Sequence, residues 1–207
     1  LYIDLRNLSF KEQSGLQVRK LSLEAQAGKH NTVVRDFIIG LPNSTVSLAQ
    51  ITGNVGLQSF KQKENFIKTL NAEAVMAANI CLHDLACIIP KLATFDDALN
   101  LAASAKMSDG TLRLPNISLS DNNGNLSLLL NASVRNIGST PAFYADIKEL
   151  YTGTNIQQFL TRNLQGEEKE LSPILTQLGS TKSSGTVAWQ DKNLRTNLQT
   201  ESEQGNV

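Results

Sequence analysis

Aromatic, histidine and cysteine residues are all scarce in this chain, and each scarcity removes a class of function. Aromatics make up 5% of 207 residues, too few to build stacking platforms for bases or sugars. Nineteen basic residues balance nineteen acidic ones, so no basic stripe points to nucleic acid. No run of about eighteen apolar residues is long enough to span a bilayer as a helix. Two cysteines, Cys81 and Cys87, are too few to frame a secreted disulfide module. They read either as one local bridge or, more plainly, as two partly buried thiols. The chain opens on Leu1 with no charged and apolar leader after it, so it reads as a piece of a longer protein whose signal or anchor lies outside.

Catalytic and metal-binding patterns are missing as well. The tightest cluster of ligand types is "CLHDLAC", with Cys81, His83, Asp84 and Cys87. Residues 81 and 83 of a strand point the same way, but no second Cys or His pair completes a zinc site; His30 stands alone in "AGKHN". A strand end followed by an Asp-capped helix explains the same residues. No Gly-x-Ser-x-Gly elbow occurs, and His83 beside Asp84 is a sequence neighbour rather than a base held by its orienting acid. The adjacent acids Asp96–Asp97 and Glu167–Glu168 read as solvated. The expectation is a non-enzymatic protein with no catalytic residue, no metal and no cofactor. Sequons at Asn43, Asn116, Asn125 and Asn131 follow from an Asn- and Ser-rich composition.

What the chain does have is alternation with a period of two. "GLQVRKLSLEAQA" sets Leu16 and Val18 on one face, then continues through Leu21, Leu23, Ala25 and Ala27 in the opposite phase, the mark of a β-bulge. Val33, Phe37, Ile39 and Leu41 are expected on one side of the next strand. "ALNLAASAKM" carries Leu99, Leu101, Ala103, Ala105 and Met107, and "NLSLLLNASV" carries Leu126, Leu128, Leu130, Ala132 and Val134. Turn signals such as "DG", "DNNGN" and "SSG" separate the strands. The fold class is therefore mainly β, an antiparallel meander curled into an open groove or closed into a sandwich.

Three short amphipathic helices interrupt that rhythm: "DLACIIPKL" with Asp84 as N-cap, "TNIQQFLTRNL" with a Thr154–Gln157 capping box, and "LSPILTQLG" between Ser172 and Gly179. "QGEEKE" at 165–170 connects the last two. Helix, strand, turn and strand then recur, once from Asp84 and again from Ser172, which suggests tandem repetition. "LPNSTVSLAQITGN" at 41–54 and "LPNISLSDNNGN" at 114–125 read as one structural part used twice, with Gly124 turning into "NLSLLL". No Pro- or Ser-rich linker divides the chain, so 1–207 is one β-rich domain, with 1–80 and 81–207 as subunits if it divides at all.

An apolar stripe that recurs on strand after strand must be covered, either as the filled core of a sandwich or as the lining of a trough for acyl chains. Both need the same alternation. The groove candidates are Leu99, Leu101, Leu126, Leu128, Leu130 and Val134.

"DLRNLSFKEQSGLQVRKLSLEAQAGKH", then "FIIGLPNSTVSLAQITGNV", and above all the stretch from "LHDLACIIPKL" to "NLSLLLNASV" carry a family likeness in their serial order. The chain resembles, over essentially its whole length, the periplasmic β-repeat region of the TamB proteins of the AsmA-like group, in the style of Bacteroidetes members. The resemblance implies a protein anchored in the inner membrane by a segment outside this chain, with an open taco-like sheet crossing the periplasm. It implies phospholipid acyl chains as cargo and an Omp85-class protein in the outer membrane as partner, or else a scaffold for outer-membrane β-barrel assembly by strand augmentation. Nucleic acid has no place in it. Cys81, Cys87 and "QGEEKE" depart from the family pattern.

Overall fold

A computed structural model describes residues 1–13, 15–56, 70–94, 98–137, 139–154, 179–203 and 205–206. Nearly all of them belong to one sheet. Its strands are β1 (Tyr2–Lys11), β2 (Gln17–Ala27), β3 (Thr32–Gly40), β4 (Thr45–Gly53), β5 (Ala72–Cys81) and β6 (Ala98–Ser108). They continue as β7 (Thr111–Asp121), β8 (Leu126–Arg135), β9 (Ala142–Thr152), β10 (Thr181–Gln190), β11 (Asn193–Ser202) and the two-residue β12 (Gly205–Asn206). Spatial order equals sequence order, and every neighbouring pair is antiparallel. β1 pairs with β2 alone, so the meander stays an open sheet.

Turn chemistry explains the hairpins. Asp109 and Gly110 join β6 to β7 in the left-handed region (φ 49° and 66°), and Asp191 and Lys192 do the same between β10 and β11. Two such residues supply the backbone twist a tight hairpin needs. Between β7 and β8, Gly124 takes φ 72° and Asp121 accepts the N–H groups of Asn125 and Leu126 at 2.8 and 2.9 Å.

Bulges set which side chains share a face. The register of β1 on β2 shifts twice: Phe10 faces Val18, Leu8 faces Leu21 and Leu5 faces Leu23. The phase flip expected in β2 is therefore present between Val18 and Leu21. Its counterpart in β1 is at Asn7, which takes φ 57° and donates its N–H to Ser22 Oγ at 3.1 Å. β7 repeats the device: Asn116 takes φ 58° and donates its N–H to Asn131 Oδ1 at 3.0 Å, bringing Leu114 and Ile117 onto one face.

Four expectations need correction. In β3 it is Val34, paired with Ile51, that joins Phe37 and Ile39, whereas Val33 pairs with Thr52 on the opposite face. The extra residue is Asp36 at φ 51°, which reverses the alternation. The two "LPN" phrases are different parts: Leu41–Asn43 leads into the β3–β4 turn, while Leu114–Asn116 forms the bulge inside β7. "DLACIIPKL" is no α-helix but part of two 3₁₀ turns, Leu82–Leu85 and Pro90–Thr94, since Pro90 lacks the N–H that a continuing helix requires. The helices expected after Thr154 and Ser172 lie outside the described residues; among the described residues no helix reaches seven residues. Finally, one open sheet replaces the sandwich alternative, for no second sheet is stacked on it among the described residues.

A single layer cannot enclose a core. The buried apolar residues are Val18, Ala78, Met107, Ala132 and Ala145, four of them small or β-branched, and no large side chain is fully buried among the described residues.

Candidate functional site

Directly opposed residues of antiparallel strands lie on the same face, so the registers can be read as rows running across the sheet. One row is apolar over nine strands. It runs through Leu8, Leu21, Ile39 and Val46 on β1 to β4, then Ala78, Leu101, Leu119, Leu128 and Leu150 on β5 to β9. Except for Leu8, which is exposed, and Ala78, which is buried, its members are partly buried by their neighbours. Nothing among the described residues closes over them as a second layer.

The six groove candidates all lie on this face. Leu101 and Leu128 belong to the nine-strand row. Leu130 sits between Ile117 and Ile147, and Val134 between Leu112 and Phe143. Leu126 faces Thr152, and Leu99 faces Ile80 on one side and Asp121 on the other. β6 and β8 carry no extra residue, so their simple alternation was readable. On β1 and β9 the row was missed because an extra residue breaks the alternation, at Asn7 in β1 and between Ile147 and Leu150 in β9.

The opposite face is polar. Asn79 Nδ2 donates to Asn100 Oδ1 at 2.8 Å, and Asn100 Nδ2 donates to Asn122 Oδ1 at 2.6 Å. Glu73 pairs with Lys106, Asp146 with Lys148 and Glu149 with Lys182 on the same side. Of the charged residues with a cross-strand partner, Asp121 alone falls on the apolar face. It is 7% exposed; Oδ1 is taken by the β7–β8 turn, and Oδ2 is enclosed without a partner. The apolar face therefore offers a ligand hydrocarbon and almost no charge.

The "CLHDLAC" cluster has a structural role. Asp84 does not cap its own turn. Its Oδ2 accepts the Asn43 N–H at 2.8 Å and the Ser44 hydroxyl at 2.7 Å, while Oδ1 accepts Asn43 Nδ2 at 2.9 Å. Ser44, 3% exposed, accepts in turn the Cys81 N–H at 2.9 Å. Burial pushes the Asp84 pKa up, but the hydrogen bonds from Ser44 and Asn43, with His83 nearby, outweigh it and hold the group below the usual carboxylate range. His83 Nδ1 is bonded to the Ala93 carbonyl oxygen at 3.0 Å, closing the connection on itself. Cys87 lies against Gly15 in the β1–β2 turn, so this segment reaches across the strand ends. Neither Cys81, partly buried, nor Cys87, exposed, is in a disulfide, and among the described residues no group of three or more His, Cys, Asp or Glu is placed to hold a metal.

No family model matches this chain, and neither a curated protein nor a solved structure matches it. The fold and its two unlike faces are thus the basis for a functional reading.

Proposed function

We propose that this chain is a groove segment of a TamB-like protein of the AsmA-like group, which shields phospholipid acyl chains in transit between the inner and outer membranes. The observation that carries the reading is the apolar row from Leu8 to Leu150, over which no second layer lies among the described residues. Nine strands at about 4.8 Å spacing extend that row over ~38 Å, longer than the ~15 Å of one leaflet's hydrocarbon. Such a length suits passage along a track better than a single fixed site. Each methylene withdrawn from water gains about 0.8 kcal/mol, and headgroups outside the trough need no dedicated ligand. No side chain performs chemistry in this scheme. In it the sheet curls into a trough in the periplasm, with an anchor supplied outside this chain and an Omp85-class partner at the outer membrane. Native mass spectrometry of gently purified protein tests it: phospholipid adducts are expected, and protein free of lipid under all mild conditions counts against it.

A second reading has its own support. β1 and the greater part of β11 leave long open edges, and an open edge is a template for an incoming strand. In this scheme client strands of outer-membrane barrels add to the sheet. Crosslinks from β1 to unfolded barrel strands support it; crosslinks to lipid alone favour the first reading.

A further inference from the structure

The apolar face is not uniform from corner to corner. On β10 and β11 the nine-strand row ends in hydroxyls, because Leu150 is followed by Ser183 and Thr200. The row beside it ends the same way, through Thr152, Thr181 and Ser202. These groups bond to one another: Thr152 Oγ1 to Thr181 Oγ1 at 2.8 Å, and Ser183 Oγ to Thr200 Oγ1 at 2.9 Å. At the other end of the same strands the side chains are large and apolar. Val134, Phe143, Trp189 and Leu194 form one row, and Trp189 and Leu194 are 38% and 65% exposed.

The far side of the sheet shows the reverse. There the row that continues toward β2 holds Ala72, Gly53, Thr32 and Ala27, while the bulky residues Leu21, Ile39 and Val46 sit at the opposite strand ends. One weakly apolar corner thus lies on β10 and β11; diagonally opposite, the row through Gly53, Thr32 and Ala27 is small and weakly apolar, with Ile3 of β1 beside it, and most of the bulky apolar residues occupy the other diagonal.

We infer that the acyl path crosses the sheet on a slant, from Leu8 and Leu21 toward Val187, Leu198, Trp189 and Leu194, and that the hydroxyl corner of β10 and β11 turns it away from the straight row. This rests on the reading of the apolar face as an acyl track. From the row of Thr200 to that of Leu194 is six residues, so the path descends ~20 Å over ten strand spacings of ~48 Å in all. Strands that tilt against the axis of a curled sheet make a straight axial path cross them in this way. The occupant is a hydrocarbon chain, because charges other than Asp121 are kept to the other face and the hydroxyls of the excluded corner are already hydrogen-bonded within the protein.

The chain's single tryptophan lies on the inferred path. Dibromostearate, a single acyl chain carrying a quencher, is titrated against the native protein with stearate as control. Reporters elsewhere are placed in a Trp189→Phe background: Leu128→Trp in the common row, and Ser183→Trp or, should that fail to fold, Thr200→Trp in the hydroxyl corner. Trp189 and the residue-128 reporter are expected to lose most of their emission, and the corner reporter to keep most of its own. Equal quenching at the corner overturns the slant, as does quenching at 128 with none at Trp189. Quenching at no position removes the acyl reading itself.

Discussion

Leu128 is held between Leu119 and Leu150, and a pair of substitutions on the same face of β8 measures what lies above it. In a closed core Leu→Ala costs about 2–5 kcal/mol, because the transfer loss is joined by a cavity. Leu128 is only partly buried and, among the described residues, has no second layer over it. The cavity contribution therefore vanishes, and Leu128→Ala should cost the transfer part alone, about 1–2 kcal/mol. Ala132→Leu reverses the test. Ala132 is flanked in its row by Leu114 and Ala145 and is 9% exposed, shaded by taller neighbours. In a filled core the added atoms would overpack and cost about 1–3 kcal/mol. On an open face they project outward, and the expected change is within ~0.5 kcal/mol. Urea titrations of both variants give the differences from midpoint and slope. A loss above ~3 kcal/mol for Leu128→Ala together with more than ~1.5 kcal/mol for Ala132→Leu would refute the open face.

Asp84→Ala removes the carboxylate that the Asn43 N–H and, at its shortest contact, the buried Ser44 hydroxyl donate to, and should cost about 1–3 kcal/mol by urea midpoint. Because folding lowers the Asp84 pKa, its contribution is fully present above the ordinary carboxylate value and disappears as pH falls through the lower folded value. The wild-type minus Asp84→Asn difference should therefore shrink as titrations are carried to acid, and a difference that grows there contradicts the assignment. At the β7 bulge, Asn116→Gly should be nearly neutral while Asn116→Ala costs about 1 kcal/mol, since φ 58° is strained for an alanine. Equal midpoints for the two variants would mean that the bulge is not rigidly held.

The parts of this architecture that were legible in the sequence are those set by neighbours along the chain. β6 and β8 alternate without interruption, and all six leucine and valine positions chosen from them fall on one face. The flip in β2 was visible because Val18 and Leu21 bracket two adjacent basic residues. β3 was misread at Val33, since the reversal depends on one aspartate, Asp36, entering the left-handed region. Nothing in "VVRDFII" distinguishes that aspartate from an ordinary strand residue. "LPN" deceived for a similar reason: the same three residues suit a turn at 41–43 and a bulge at 114–116, because Asn tolerates both backbones. The Asp84 network was beyond local reading, for its partners are forty residues upstream and meet it only when β4 and β5 pair. The slant of the bulky apolar residues follows from the register of all eleven long strands, which no single segment contains.

The central claim is that the face bearing Leu101 and Leu128 holds acyl chains, and photo-crosslinking in living cells tests it most directly. A photoreactive residue at Leu128 samples the apolar face, and one at Asn100 samples the polar face. Mass analysis of the adducts is expected to find phospholipid at position 128 and not at position 100. Adducts of protein alone at 128, or lipid captured equally at both positions, would contradict the account.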